Sequence, residues 1–127
     1  MFGLVSSVLA EKCRHVYTVE KTATVAEAVR EMNEKGVGAL LVMEGRRPIG
    51  IFTERDLLTN FLAAGRDLFT DVGTNCSQPL FIAASGISAH RAAAIMALKH
   101  IRRLPIVDEE KLVGIVTARD LVEAYAR

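Results

Sequence analysis

The sequence predicts an α/β (α+β) fold made of two β-α-β-β-α repeats packed about a pseudo-twofold axis. Three observations predict it. The stretch GIFTERDL at Gly50–Leu57 returns as GIVTARDL at Gly114–Leu121, 64 residues further on. At that same offset the chain aligns with itself without a gap from about residue 22 to 58, with identities that include Ala28/Ala92, Met32/Met96, Leu40/Leu104, Thr53/Thr117, Arg55/Arg119 and Asp56/Asp120. Finally, the chain has 127 residues, half of them apolar. Each half alone, at roughly 60 residues, is marginal, so the halves are expected to bury surface on each other. The expected division is 1–65, a lead-in with the first repeat, and 66–127, a linker with the second.

The elements follow in order. The lead-in carries Phe2, Leu4, Val5, Val8 and Leu9 and is expected to pack on the core or on a partner. Val16–Val19 is a short β-rich run. Thr24 with Glu27 starts a helix, and Val25, Ala28, Val29 and Met32 give its apolar stripe. Gly36 ends it. Gly38–Met43 is a nearly continuous apolar run, as in a strand covered on both faces. A turn at residues 44–48 leads to a return strand over Ile49–Phe52. Thr53 opens a helix expected to run to Gly65. After the linker the unit recurs: a strand at Leu80–Ala83, a helix capped by Ser88 and running through Lys99, a strand at Leu104–Val107, a turn at 108–111, a strand at Leu112–Val116 and a last helix opened by Thr117. Within each repeat the first two strands, joined by a helix, should be parallel, and the next two an antiparallel hairpin.

Thr53-x-x-Asp56 and Thr117-x-x-Asp120 are capping-box-like helix starts. Such a start also presents free N–H groups and the positive end of the helix dipole, and an Asp there can accept from two vicinal hydroxyls, as on a ribose. Having two in register raises the second meaning.

Taken with TVAEAVREM…GALLV…PIGIFTERDL and SAHRAAAIM…IRRLPIVDEEKLVGIVTARDL, the pattern resembles a tandem of cystathionine-β-synthase-type (CBS) domains, a Bateman module. The resemblance covers nearly the whole chain. It implies a stand-alone regulatory module that binds an adenosyl ligand, of the AMP, ATP or S-adenosylmethionine class, in a cleft between the repeats. No cofactor is required. By position Asp56 and Asp120 match the ribose-binding acid, Thr53 and Thr117 the neighbouring hydroxyl, and Arg102 and Arg103 a basic pair that meets phosphate. Val19, Ile82 and Pro105 fall where the family contacts the base. The first repeat departs from the pattern: Gly38-Ala39 replace Arg102-Arg103, and Leu41 replaces Pro105. Arg55 and Arg119, beside the acids, can compensate. The apolar stripes of the helices expected at Thr53–Gly65 and Thr117–Arg127, together with the pairing common in the family, lead to the expectation of a homodimer. With no catalytic, transporter or DNA-binding domain in the sequence, the regulated target is expected to be a separate protein. The alternative is a ligand-free structural or protein-interaction pair.

Composition narrows the classes further. A net charge of +1 gives no electrostatic case for nucleic acid. No apolar run approaches the ~18 residues that span a membrane. The N-terminus reads as an amphipathic lead-in rather than a signal peptide. Cys13 and Cys76, the two cysteines, read as free thiols of a cytoplasmic protein. Cys13-x-His15 lacks a second ligand pair, so no metal is expected. No phosphate-loop or nucleophile-elbow motif is present, and His15, His90 and His100 have no sequence partner that makes a triad, so no enzyme is expected.

Overall fold

The computed structural model describes residues 3–10, 16–78 and 80–126. In chain order the elements are α1 (Val5–Ala10), β1 (Thr18–Glu20), α2 (Val25–Lys35), β2 (Ala39–Glu44), β3 (Arg47–Thr53), α3 (Glu54–Asp56) continued by a π-helical turn at Leu57–Leu62, α4 (Ala89–Lys99), β4 (Arg103–Asp108), β5 (Lys111–Thr117) and α5 (Ala118–Ala126). They form two compact units. One is Val16–Leu80; the other joins the N-terminal segment to Phe81 and the residues after it.

The first unit has a three-stranded sheet in the order β1-β2-β3, parallel then antiparallel, as the β-α-β-β pattern requires. Alternation along β2 and β3 sends Leu40, Val42 and Phe52 to one face, where they pack with Val25, Ala28 and Met32 of α2. α2 begins with the full capping box: the Glu27 amide donates to Thr24 Oγ1 at 3.0 Å, and the Thr24 amide to Glu27 Oε1 at 3.4 Å. It ends at Gly36 in the left-handed region, φ 65°.

The second unit repeats the hairpin, β4 with β5, including a register shift at the matching place: Val42/Met43 in one and Ile106/Val107 in the other. Its core joins Leu104, Ile106 and Val116 to Ala89, Ala92 and Met96 of α4 and to Leu121 of α5.

Four expectations are corrected. The strand at Leu80–Ala83 reduces to one parallel bridge, Ala83 to Ile106, in the register that β1 keeps on β2. Only Ala83 is tied on both sides, its amide to the Pro105 carbonyl and its carbonyl to the Val107 amide. The first strand lies at Thr18–Glu20 rather than Val16–Val19. The helix after Thr53 loosens after one turn, with Ala63 bonding back to the Leu58 carbonyl and Arg66 to that of Phe61. The π turn accompanies a change of side: Phe61 is 1% exposed and meets Phe52 edge-on at 6.3 Å, whereas its counterpart Tyr125 is 72% exposed. Finally, the lead-in groups with the second repeat and not with the first. The Val5 and Ser6 amides donate to Ile87 and Ser85, and Leu9 lies against Gly114. The linker conversely serves the first unit, where Ser77 and Ile51 exchange backbone bonds.

The β4–β5 turn is strained. Glu109 and Glu110 both have positive φ, 49° and 65°, between the paired Asp108 and Lys111. Two-residue turns of this kind favour Asn-Gly, because left-handed backbone disfavours other side chains by roughly 1–2 kcal/mol each. Glu109→Asn combined with Glu110→Gly is expected to stabilise the protein by about 1 kcal/mol, a Tm rise of roughly 2–8 °C. A thermal melt with no rise contradicts this. Asp108 anchors the same turn: the Ser85 hydroxyl and amide donate to it at 2.6 and 2.9 Å and hold its carboxyl below the usual range. In the first unit Lys21 and Glu44 form an ion pair at the matching positions.

Cys76 carries a free thiol among the described residues, and burial pushes its pKa up. Cys13 lies outside the described residues, as does His15. No described helix is long and apolar enough to cross a membrane.

Candidate ligand-binding site

Both duplicated helix starts close as capping boxes. In the first, the Thr53 amide donates to Asp56 Oδ2 at 3.0 Å and the Asp56 amide to Thr53 Oγ1 at 3.2 Å. In the second the same bonds measure 2.8 Å for the Thr117 amide to Asp120 Oδ2 and 3.0 Å for the Asp120 amide to Thr117 Oγ1. The first helical amide is tied back to the residue just before the neighbouring strand in each copy: Glu54 to the Gly38 carbonyl at 3.0 Å and Ala118 to the Arg102 carbonyl at 2.8 Å. The chain therefore fixes each acid beside its threonine at the end of a hairpin. Asp120 is buried, 4% exposed, and Asp56 is half-buried. A carboxylate offers about four acceptor positions, so a cap bond and bonds to other hydroxyls are compatible.

Register decides which neighbours share the site. Arg103 lies opposite Thr117 and Pro105 opposite Ile115. Directly opposed residues share a face, and alternation adds the next pair, so Arg103, Pro105, Ile115 and Thr117 stand on one face, away from the core residues Leu104, Ile106 and Val116. Arg102 is exposed just before the strand. Ile82 is exposed and precedes the Ala83 bridge, so alternation puts it toward the Pro105 side.

In the first unit the same face holds Ala39, Leu41, Ile51 and Thr53. Val19 is not on it. It pairs with Val42 and packs on the core, while Thr18, paired with Leu41, holds the place equivalent to Ile82. Val19, which the resemblance puts at the base, thus lies on the core face, and Thr18 lies on the face that carries Thr53. Of the remaining arginines, Arg119 pairs with Glu123 along its own helix at 3.0 Å, and Arg55 is exposed, its carbonyl taking the Thr59 hydroxyl at 2.8 Å.

One contact lay outside the sequence reading. The Ser77 hydroxyl donates to both Asp56 oxygens at 3.4 Å. No repeat pattern marks Ser77, because the linker that carries it precedes the second repeat but folds with the first. Among the described residues, no group of three or more His, Cys, Asp or Glu side chains is placed to hold a metal ion.

Comparison with known proteins bears on this arrangement. Residues 5–63 and 70–127 each match the model of the CBS domain. A CBS domain-containing protein of Bacillus subtilis is 40% identical over 116 residues, 91% of this chain and 83% of that protein. The chain spans between 58% and 83% of the length of the first curated relatives it matches. Among solved structures, a CBS-domain protein from Burkholderia ambifaria superposes with a TM-score of 0.86 at 33% identity, covering 96% of this chain and 93% of the other. A CBS domain protein from Pyrobaculum aerophilum, solved in complex with AMP, shares the fold with a TM-score of 0.80 at 24% identity, covering 98% and 99%.

Proposed function

Because the chain belongs to the CBS-domain family, with two copies in tandem, we propose that it is a regulatory sensor that binds an adenosyl ligand and carries out no catalysis. The observation that supports this most is the second unit's arrangement: Thr117, Asp120, Arg103 and Pro105 gathered at one end of one hairpin. In this reading Asp120 accepts the vicinal ribose hydroxyls, Arg103 with Arg102 nearby meets phosphate through charge-assisted bonds, and the exposed Ile82 offers apolar contact to the base beside the fully buried Pro105. The ligand class is AMP, ATP or S-adenosylmethionine; the Pyrobaculum structure shows the fold accommodating AMP in another chain. A ligand that binds only the folded protein stabilises it by RT ln(1 + [L]/Kd), so the gain keeps growing with ligand concentration after the site is full. A separate target protein reading the loaded state is part of the same proposal.

A thermal-shift screen tests it. AMP, ATP or S-adenosylmethionine at about 100 times Kd is expected to add roughly 2.7 kcal/mol, several degrees in Tm, with GTP as the control. No shift with any adenosyl compound favours the second reading, a structural pair. That reading has its own support: both acids already complete their caps, and Asp120 is buried.

We further propose a homodimer. Between α4 and α5 lies an open apolar groove of about 430 Å3, lined by Ala93, Met96, Ala97, Leu121, Val122 and Tyr125 among others. Val122, Tyr125 and nearby Leu98 are exposed. A twofold contact would cover such a stripe. Light scattering at tens of micromolar is expected to give twice the 13.8 kDa chain mass; the monomer mass refutes the dimer.

A further inference from the structure

The two repeats build the same groove between their paired helices and line it differently. In the second unit it lies between α4 and α5. Its counterpart in the first unit, about 340 Å3, lies between α2 and the helix opened by Thr53 and includes Met32, Asn33, Glu54 and Leu57. At the offset of 64 residues Met32 matches Met96 and Leu57 matches Leu121, so the floor is kept. The walls are not. Where the first unit has Arg30, Asn33, Glu34 and Glu54, the second has Ala94, Ala97, Leu98 and Ala118. All four polar residues are exposed and solvated, whereas Ala94, Ala97 and Leu98 form an exposed apolar face.

The aromatic residue at the end of the groove differs too, through packing rather than sequence. The π turn takes Phe61 into the first core, while Tyr125 stays exposed and lines the second groove. The second face therefore has a bulky ridge, Val122 and Tyr125 on α5, beside a hollow made by Ala93 and Ala97 on α4. About a twofold axis such a face fits a copy of itself, ridge into hollow in both directions. Charge selects the same occupant. Among the described residues no charged side chain lines this groove, and the ion pair Arg119–Glu123 is made within α5. Closing the face on the first unit's counterpart would instead bury Glu34 and Glu54 against alanine and leucine, and an unpaired buried charge is strongly unfavourable.

We infer that two copies of the chain meet through the α4–α5 face of the second unit, each placing Val122 and Tyr125 against the other's Ala93 and Ala97, and that the first unit's equivalent face takes no part. This rests on the homodimer reading and deepens it. Tyr125 is the anchor of the contact, a large side chain seated among small ones.

Light scattering of matched variants at tens of micromolar tests the inference. Leu58 and Val122 hold equivalent positions and are alike in exposure, 60% and 61%. Val122→Glu is expected to weaken the dimer at least about a hundredfold and give the monomer mass. Leu58→Glu is expected to leave the dimer intact. Ala97→Asn combined with Leu98→Glu copies the first unit's residues onto the second and is expected to give a monomer as well. Both positions are exposed, so the fold should be kept, and a thermal melt checks each variant. A folded Val122→Glu or Ala97→Asn/Leu98→Glu protein that stays dimeric overturns the inference, as does loss of the dimer in Leu58→Glu; each of these leaves the homodimer itself standing. A monomeric wild type is a different failure: it overturns the homodimer reading and this inference with it.

Discussion

Asp120→Ala is expected to weaken AMP binding about ten- to a hundred-fold. Hydrogen bonds to a charged group contribute roughly 1.5–3 kcal/mol each, and each 1.4 kcal/mol is a factor of about ten in Kd. The substitution also removes the acid half of the Thr117 cap, where loss of a capping partner destabilises by about 0.5–2 kcal/mol. The two effects separate with Asp120→Asn. The amide oxygen still accepts the Thr117 amide, so the helix start survives, but the charge that strengthens the ribose bonds is gone. Calorimetry should therefore find weak AMP binding in both variants, while the thermal melt shows the larger loss only in Asp120→Ala. Asp56→Ala should change AMP affinity less than either, because its end of the chain lacks the arginine pair. AMP affinity equal to wild type in a folded Asp120→Asn protein would remove Asp120 from the site.

The second large effect falls on Gly50, and its twin in the repeat makes the control. A Cβ at Gly50 would meet Cys76 Sγ at 2.5 Å, the Ser77 carbonyl oxygen at 2.9 Å and Gln78 Cγ at 3.1 Å. The carbonyl cannot yield without breaking the Ile51–Ser77 pairing. At Gly114 the nearest atom is the tip of Leu9, at 3.0 Å, which can turn aside. Gly50→Ala is expected to destabilise by about 1–3 kcal/mol, in the range of overpacked cores, and Gly114→Ala by less than about 1 kcal/mol. Urea melts of both variants measure this. Equal losses would mean that the segment at residues 76–78 does not rest on Gly50 as described.

These two glycines also show what the sequence disclosed and what it hid. GIFTERDL and GIVTARDL are nearly the same string, so the hairpins, the caps and the helix stripes were legible by periodicity and by comparing one copy with the other. What packs on each glycine was not legible, because it comes from the segments outside the repeat, and those segments exchange places. The lead-in serves the second unit and the linker the first. For the same reason Ser77 escaped notice as a neighbour of Asp56. Leu80–Ala83 reads as a strand by composition, yet among the described residues only Ala83 of that run forms a β-bridge; apolar β-formers do not by themselves supply a ladder. The π turn after Thr53 was invisible for a related reason. Leu57, Leu58, Phe61 and Leu62 fit an α-helical stripe, and only the packing of Phe61 on Phe52 shows the looser path.

The central claim is that the Asp120 carboxylate reads a pair of ribose hydroxyls. Calorimetry of the wild-type protein with AMP and with its 2′,3′-dideoxy analogue tests it most directly, because the two ligands share base and phosphate and differ only in the groups Asp120 would hold. Loss of hydrogen bonds to a charged partner predicts that the dideoxy analogue binds at least about tenfold more weakly than AMP. Equal affinity for the two would contradict the claim.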